Sequence, residues 1–157
     1  PSSAASDVYK RQLMGSGGIE DMETYNSMPG IQKLLSDFLG GEMNQEKIEG
    51  LLKLFPYDSS IITDEMIEDR MQILPLMNPQ VLASMKIPNL EDDLGKITHP
   101  MLVFWGMDDK FCPVSGASKI GQKCHDAQII LFSRCGHWVM IEREEIFNQT
   151  CIDFLNR

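Results

Sequence analysis

The sequence predicts an α/β protein in which a helical insert precedes the tail of a parallel sheet. Two apolar runs and a long helical stretch between Met28 and Leu94 predict it. The first run, "MLVFWG" (Met101 to Gly106), is continuously apolar and bounded by Pro100 and its own glycine. That pattern suits a strand buried on both faces. The second, "AQIILF" (Ala127 to Phe132), follows a segment whose Val114, Ala117, Ile120 and Cys124 recur at helical spacing. Strand, helix, strand, helix with short connections is the pattern of parallel strands joined by crossovers.

Taken in order, residues 1–12, "PSSAASDVYKRQ", show neither helical nor strand periodicity and no initiator methionine. They look like translated adapter sequence and are set aside as a non-native leader. Residues 13–27 begin with Leu13-Met14, read as the end of a core strand, and turn through "GSGG" (Gly15 to Gly18). Residues 28–97 form the helical insert. Ile31, Leu34, Leu35, Phe38 and Leu39 mark one helix, stopped by Gly40-Gly41. Ile48, Leu51, Leu52 and Leu54-Phe55 mark a second, ended near Pro56. Thr63 is the expected N-cap of a third, with Asp64 and Glu65 in its first turn and Met66, Ile67, Met71 and Leu74 as its apolar positions. Asn78-Pro79 opens a short fourth helix before Pro88. Residues 98–157 hold both buried strands and a last helix from about Glu142. That helix is expected to bury Ile146, Phe147, Cys151, Phe154 and Leu155.

A chain of 157 residues is long enough for one domain with a sizeable core. Its net charge of -9 argues against a nucleic-acid or anionic-membrane partner, whose phosphates would be repelled. No apolar run approaches the length of a membrane span. Cys112, Cys124, Cys135 and Cys151 lack the close paired spacing of a zinc site and no secretory signal is visible. They read as reduced thiols of a cytoplasmic protein, and their spacing does not suit a metal site.

In open parallel sheets, reacting groups collect in the loops beyond the carboxyl ends of the strands. The loop "GMDDKFCP" offers Asp108 and Asp109, and the loop "SRCGHWVM" offers His137. If the strands are neighbours, a carboxylate from one loop reaches the imidazole of the other, which is half of a nucleophilic relay. The plainer alternatives are a loop histidine bonded to its surroundings and an aspartate capping the helix that starts near Pro113. Neither Ser16 nor Ser115 has the paired glycines of a G-x-S-x-G elbow.

The text "FWGMDDKFCP…FSRCGHWVMIEREEIFNQTCIDFL" resembles the α/β-hydrolase fold, and within it the meta-cleavage product hydrolases, over roughly Leu13 to Arg157. The resemblance implies that Asp109, four residues before Pro113, is the catalytic acid and His137 the catalytic base. It implies that Trp138 lines the site and that Arg70, in "ITDEMIEDRMQI", binds the dienoate end of the substrate. A guanidinium suits that task because it donates two parallel hydrogen bonds to a carboxylate. A surface ion pair with Glu65, Glu68 or Asp69 is the competing role for Arg70.

On this reading the chain is the C-terminal half of an α/β-hydrolase, with parallel sheet tail and helical lid. The N-terminal half that carries the nucleophile elbow and oxyanion loop is absent, and the fragment is expected to be inactive alone. The parent is expected to be a serine-type enzyme, a homo-oligomer without cofactor. It would cleave a C–C bond in a 2-hydroxy-6-oxo-2,4-dienoate, a small-molecule substrate. The methionine-rich insert (Met28, Met43, Met66, Met71, Met77, Met85) suggests an adaptable apolar wall. Relatives often carry a tryptophan where this chain has "ASMKIPNLEDDLGKI", so the C6 substituent stays open. Two other readings stand beside this one: a lidded, esterase-like α/β-hydrolase, and a non-catalytic binding module.

Overall fold

The computed structural model describes residues 10–76 and 87–157. Its sheet has three parallel strands in the order β1-β2-β3: β1 (Arg11–Met14), β2 (Met101–Gly106) and β3 (Ala127–Phe132). Arg11 to Met14 pair with Met101 to Phe104, and Met101 to Gly106 pair with Ala127 to Phe132. The central β2 is buried along its whole length. Alternate side chains of a strand face opposite ways, so β2 feeds two cores. Met101, Val103 and Trp105 pack with Ala117 and Ile120 of α5 (Ser115–Lys123). Leu102 and Phe104 pack with Val139 of α6 (Val139–Glu142) and Phe154 of α7 (Glu144–Leu155). Burying each such side chain stabilises the fold by roughly 1.5–3 kcal/mol.

The insert holds α2 (Pro29–Leu39), α3 (Gln45–Leu52) and α4 (Asp64–Ile73), preceded by the short α1 (Met22–Ser27). Their starts are chemically marked. The Asp21 side chain accepts from the Thr24 amide, Asn44 from Lys47 and Thr63 from Met66. Each such cap is worth about 1 kcal/mol. Leu51 of α3 joins the core of Trp105 and Phe111, while Ile48, Leu52 and Ile67 gather around Trp138. The helices α3 and α4 therefore sit over the loops that leave the carboxyl ends of β2 and β3.

Several expectations need correction. The first strand opens at Arg11, inside the stretch set aside as leader, and Gln12 pairs with Leu102. Lys10 also belongs to the fold: its ammonium donates to the carbonyls of Phe154, Leu155 and Arg157 at the end of α7. The helix α1 was not anticipated, because six residues are too few to show a period. The strand β3 is only half buried and Leu131 is 45% exposed, since β3 has one hydrogen-bonded neighbour. Ile146 and Leu155, expected inside, are exposed, and so are Leu35 and Leu39. Their helices turn Phe154 and Leu34 inward instead. The fourth helix expected at Asn78-Pro79, with Met77 and Met85, lies outside the described residues.

Candidate active site

Because the strands are parallel and adjacent, their carboxyl ends Met14, Gly106 and Phe132 lie along one edge of the sheet. The chain leaving each end contributes to a single cluster of Gly15, Asp109 and His137. Asp109 is held by its own loop. Its Oδ1 accepts hydrogen bonds from the backbone amides of Phe111 (2.8 Å) and Cys112 (2.9 Å). Its Oδ2 lies 2.8 Å from Nδ1 of His137, and its side chain is 1% exposed. Turn-capping and imidazole-facing roles are thus divided between two oxygens of one carboxylate. Asp108 is exposed and engages the other loop only through its backbone, whose amide donates to the Cys135 carbonyl.

His137 is anchored by its backbone, whose amide donates to the Phe55 carbonyl at 2.7 Å. The rings of Phe55 and Phe111 stand 5.7 and 5.4 Å from the imidazole. An ionised Asp109 fixes the proton on Nδ1, which leaves the Nε2 lone pair to take a proton. Nε2 bonds to none of the described residues. The arrangement is chemically able to act as a general base, with the developing imidazolium stabilised by a desolvated carboxylate.

Arg70 and Trp138 lie on the insert side of this cluster. Trp138 is 9% exposed and packed among Ile48, Leu52 and Ile67, so most of its surface serves the core. Arg70 is exposed and forms no ion pair with Glu65, Glu68 or Asp69 among the described residues. It borders an apolar cavity of about 190 Å³ whose walls include Phe38, Ile48, Leu51 and Phe55. Arg70 and Trp138 also share a smaller cleft of about 70 Å³. Phe55 connects the cavity to His137. It stacks on Phe111 with ring centroids 4.1 Å apart and on Trp138 at 4.8 Å, beside His137.

Gly15 and Phe55 were missed as site residues. Gly15 adopts φ +43, and a Cβ there would stand 2.8 Å from both Asp109 Oδ2 and His137 Nδ1. Only a glycine lets the backbone lie against the pair. The sequence showed a glycine turn but not what the turn faces. Phe55 read as the last apolar residue of a helix, and nothing local marks an aromatic that will stack.

The buried Cys112 and Cys135 thiols are held in the protonated form. Burial pushes Cys112 up to about 12, and burial, with Glu142 nearby, does the same for Cys135. Among the described residues no group of three His, Cys, Asp or Glu side chains is placed to hold a metal ion, and no helix is long and apolar enough to cross a membrane.

No protein-family model matches the chain. It is 36% identical over 154 residues to a 2-hydroxy-6-oxo-6-phenylhexa-2,4-dienoate hydrolase of Burkholderia cepacia, covering 91% of this chain and 52% of that protein. It is 35% identical to a 2-hydroxy-6-oxononadienedioate/2-hydroxy-6-oxononatrienedioate hydrolase of Comamonas testosteroni, with the same coverage. The chain spans about half the length of the curated relatives it matches. Among solved structures it superposes on a 2-hydroxy-6-oxo-6-phenylhexa-2,4-dienoate hydrolase from a Rhodococcus strain with a TM-score of 0.78. That match has 22% identity and covers 98% of this chain and 58% of that one. An esterase from Exiguobacterium antarcticum, 18% identical, gives 0.75 over 96% of this chain and 58% of that one, which speaks to the fold alone. The three-stranded parallel sheet and its helices fit the C-terminal half of that fold.

Proposed function

Because the chain has the α/β-hydrolase fold and is a sequence relative of the meta-cleavage product hydrolases, of which it spans about half, we propose that it supplies the acid and base of a serine-type C–C bond hydrolase. The observation that carries this reading is the 2.8 Å contact between Asp109 Oδ2 and His137 Nδ1, formed by loops from adjacent strand ends.

In the proposed reaction a 2-hydroxy-6-oxo-2,4-dienoate is first converted to its keto tautomer. His137 then takes the proton of a serine hydroxyl as that oxygen attacks the C6 carbonyl. Asp109 orients the imidazole and stabilises its charge. Collapse of the tetrahedral adduct breaks the C–C bond, and the carbon fragment leaves as a 2-hydroxypentadienoate after protonation. Water, activated by His137, then releases the carboxylic acid from the acyl-enzyme. Arg70 borders the apolar cavity, where its guanidinium would receive the dienoate carboxylate, and Phe55 and Trp138 line the way to the base. The serine and the amides that stabilise the oxyanion come from an N-terminal portion, so the 157 residues alone do not turn over.

The test is loss of the yellow dienolate absorbance. It would be followed with the 157-residue chain alone, with the coding sequence extended upstream, and with His137→Ala in the extended protein. Turnover only in the extended protein, and its loss in the variant, is the expected result. Turnover of esters with no bleaching of the dienoate would replace this reading with the esterase one.

A further inference from the structure

The loop that carries His137 is fastened to the helical insert by one carboxylate. Glu142, at the end of α6, accepts a hydrogen bond from the Gly136 amide on Oε1 and from the Tyr57 amide on Oε2, both at 2.8 Å. Tyr57 belongs to the strap between α3 and α4, Gly136 immediately precedes the histidine, and the two lie far apart in sequence. The strap and the loop meet backbone to backbone. His137 donates to Phe55, and a Cβ on Gly136 would stand 2.2 Å from the Phe55 carbonyl oxygen. Close apposition of two irregular backbones leaves amides with no ladder to join, and Glu142 satisfies one from each side.

The next residue secures the other end of the loop. The Arg143 guanidinium donates to the carbonyls of Ser133 (3.0 Å) and Arg134 (2.7 Å), and Arg134 has the left-handed φ of 53. The turn between β3 and His137 is thereby held from below by Arg143, while Glu142 ties its far end to the strap. Asp109 sets the tautomer of His137, but a hydrogen bond to a ring cannot by itself fix the backbone from which the ring hangs.

We propose that Glu142 is the positioning residue for His137: its carboxylate locks the base loop to the strap, so that the imidazole stays on Asp109 and beside Phe55. The functional meaning of this lock rests on His137 being the base. The lock itself is a claim about geometry and does not need the reaction.

The experiment uses proton NMR on the 157-residue chain. The signature is the low-field resonance of the His137 Nδ1 proton bonded to Asp109, which reports that contact whether or not any substrate is turned over. Glu142→Gln keeps the shape but offers only one oxygen acceptor, so one of the two amides loses its partner. Loss or strong broadening of the resonance is expected, with near-ultraviolet circular dichroism retained. Tyr25→Phe, which weakens the fold elsewhere, is expected to leave the resonance in place. An unaltered resonance in folded Glu142→Gln overturns the proposal. Should that variant not fold, hydrogen exchange in the wild type decides. The Tyr57 and Gly136 amides are both expected to exchange more slowly than unbonded amides of the same segments, and exchange of either at the unbonded rate overturns it. Failure of the dienoate assay with the low-field resonance intact would sink the proposed reaction and leave the lock standing.

Discussion

Gly15 lies against His137 so closely that a single added carbon would stand 2.8 Å from Nδ1 and equally close to the Asp109 oxygen that faces it. The end of β1 thus forms the back wall of the Asp109–His137 pair, and the pair cannot shift toward the sheet. This contact joins the first described strand to the last two loops of the chain.

Gly15→Ala is therefore expected to act on the pair rather than on the fold at large. The backbone there is left-handed, which already strains any side chain, and the methyl group would press His137 off Asp109. In the extended enzyme kcat should fall roughly 100-fold, the usual consequence of moving a reacting group by about 1 Å. Steady-state kinetics with a melting curve as control would check it. A variant with wild-type kcat would show that the loop yields without cost.

Arg70 should discriminate between substrates. Removing a charged hydrogen bond from a bound carboxylate costs about 1.5–3 kcal/mol, so Arg70→Ala should lose roughly 10- to 100-fold in kcat/KM on the dienoate. Arg70→Lys keeps the charge but not the two-pronged geometry and should recover only part of the loss. A neutral ester offers no carboxylate, and its hydrolysis should be unaffected. Equal losses on both substrates would assign Arg70 to the cavity wall.

Tyr25 offers a test of stability away from the site. Its buried hydroxyl accepts from the amides of Ile19 (3.0 Å) and Glu20 (3.3 Å), and it ties the segment that follows the glycine turn to α1. Tyr25→Phe leaves both amides buried without that partner, at a cost of about 1–3 kcal/mol. Thermal unfolding should shift down by roughly 2–12 °C, using the usual 2–4 °C per kcal/mol at this size. No shift would mean that water replaces the hydroxyl.

The buried thiols should be silent until alkaline pH. With Cys112 and Cys135 pushed up to about 12 from an ordinary 9.0, the folded chain carries roughly a thousandfold less thiolate at these positions. Alkylation at neutral pH, mapped by peptide mass, should mark them only after unfolding. The same shift sets a direction for stability. The folded state keeps protons that the unfolded state has lost above pH 9, so this contribution is complete below about 9 and lost as pH rises toward 12. Rapid labelling of native Cys135 would contradict its burial.

Some of this was legible in the residues themselves. The continuous apolar run at Met101 to Gly106 announced a strand buried on both faces, and β2 is that strand. The helix start at Thr63 and the stop at Gly40 could be read because capping is local chemistry. Burial on the last helix was not legible in the same way. Ile146 and Leu155 are as apolar as Phe154, and only the position of the sheet decides which of them faces it. The same holds for β3, whose apolar run suggested two covered faces until the sheet order placed it beside a single partner.

The sequence by itself determined which groups were available at which strand ends: an aspartate on one loop, a histidine on the next, and an arginine on a helix of the insert. It did so because periodicity, caps and loop chemistry are short-range. The resemblance already favoured Asp109 over Asp108, but only the tertiary structure decided that Gly15 closes the back of the pair and that Glu142 ties the histidine loop to the strap at Tyr57. Those relations join residues that are distant along the chain, and parallel strand pairing brings their ends together with a register that no local pattern encodes.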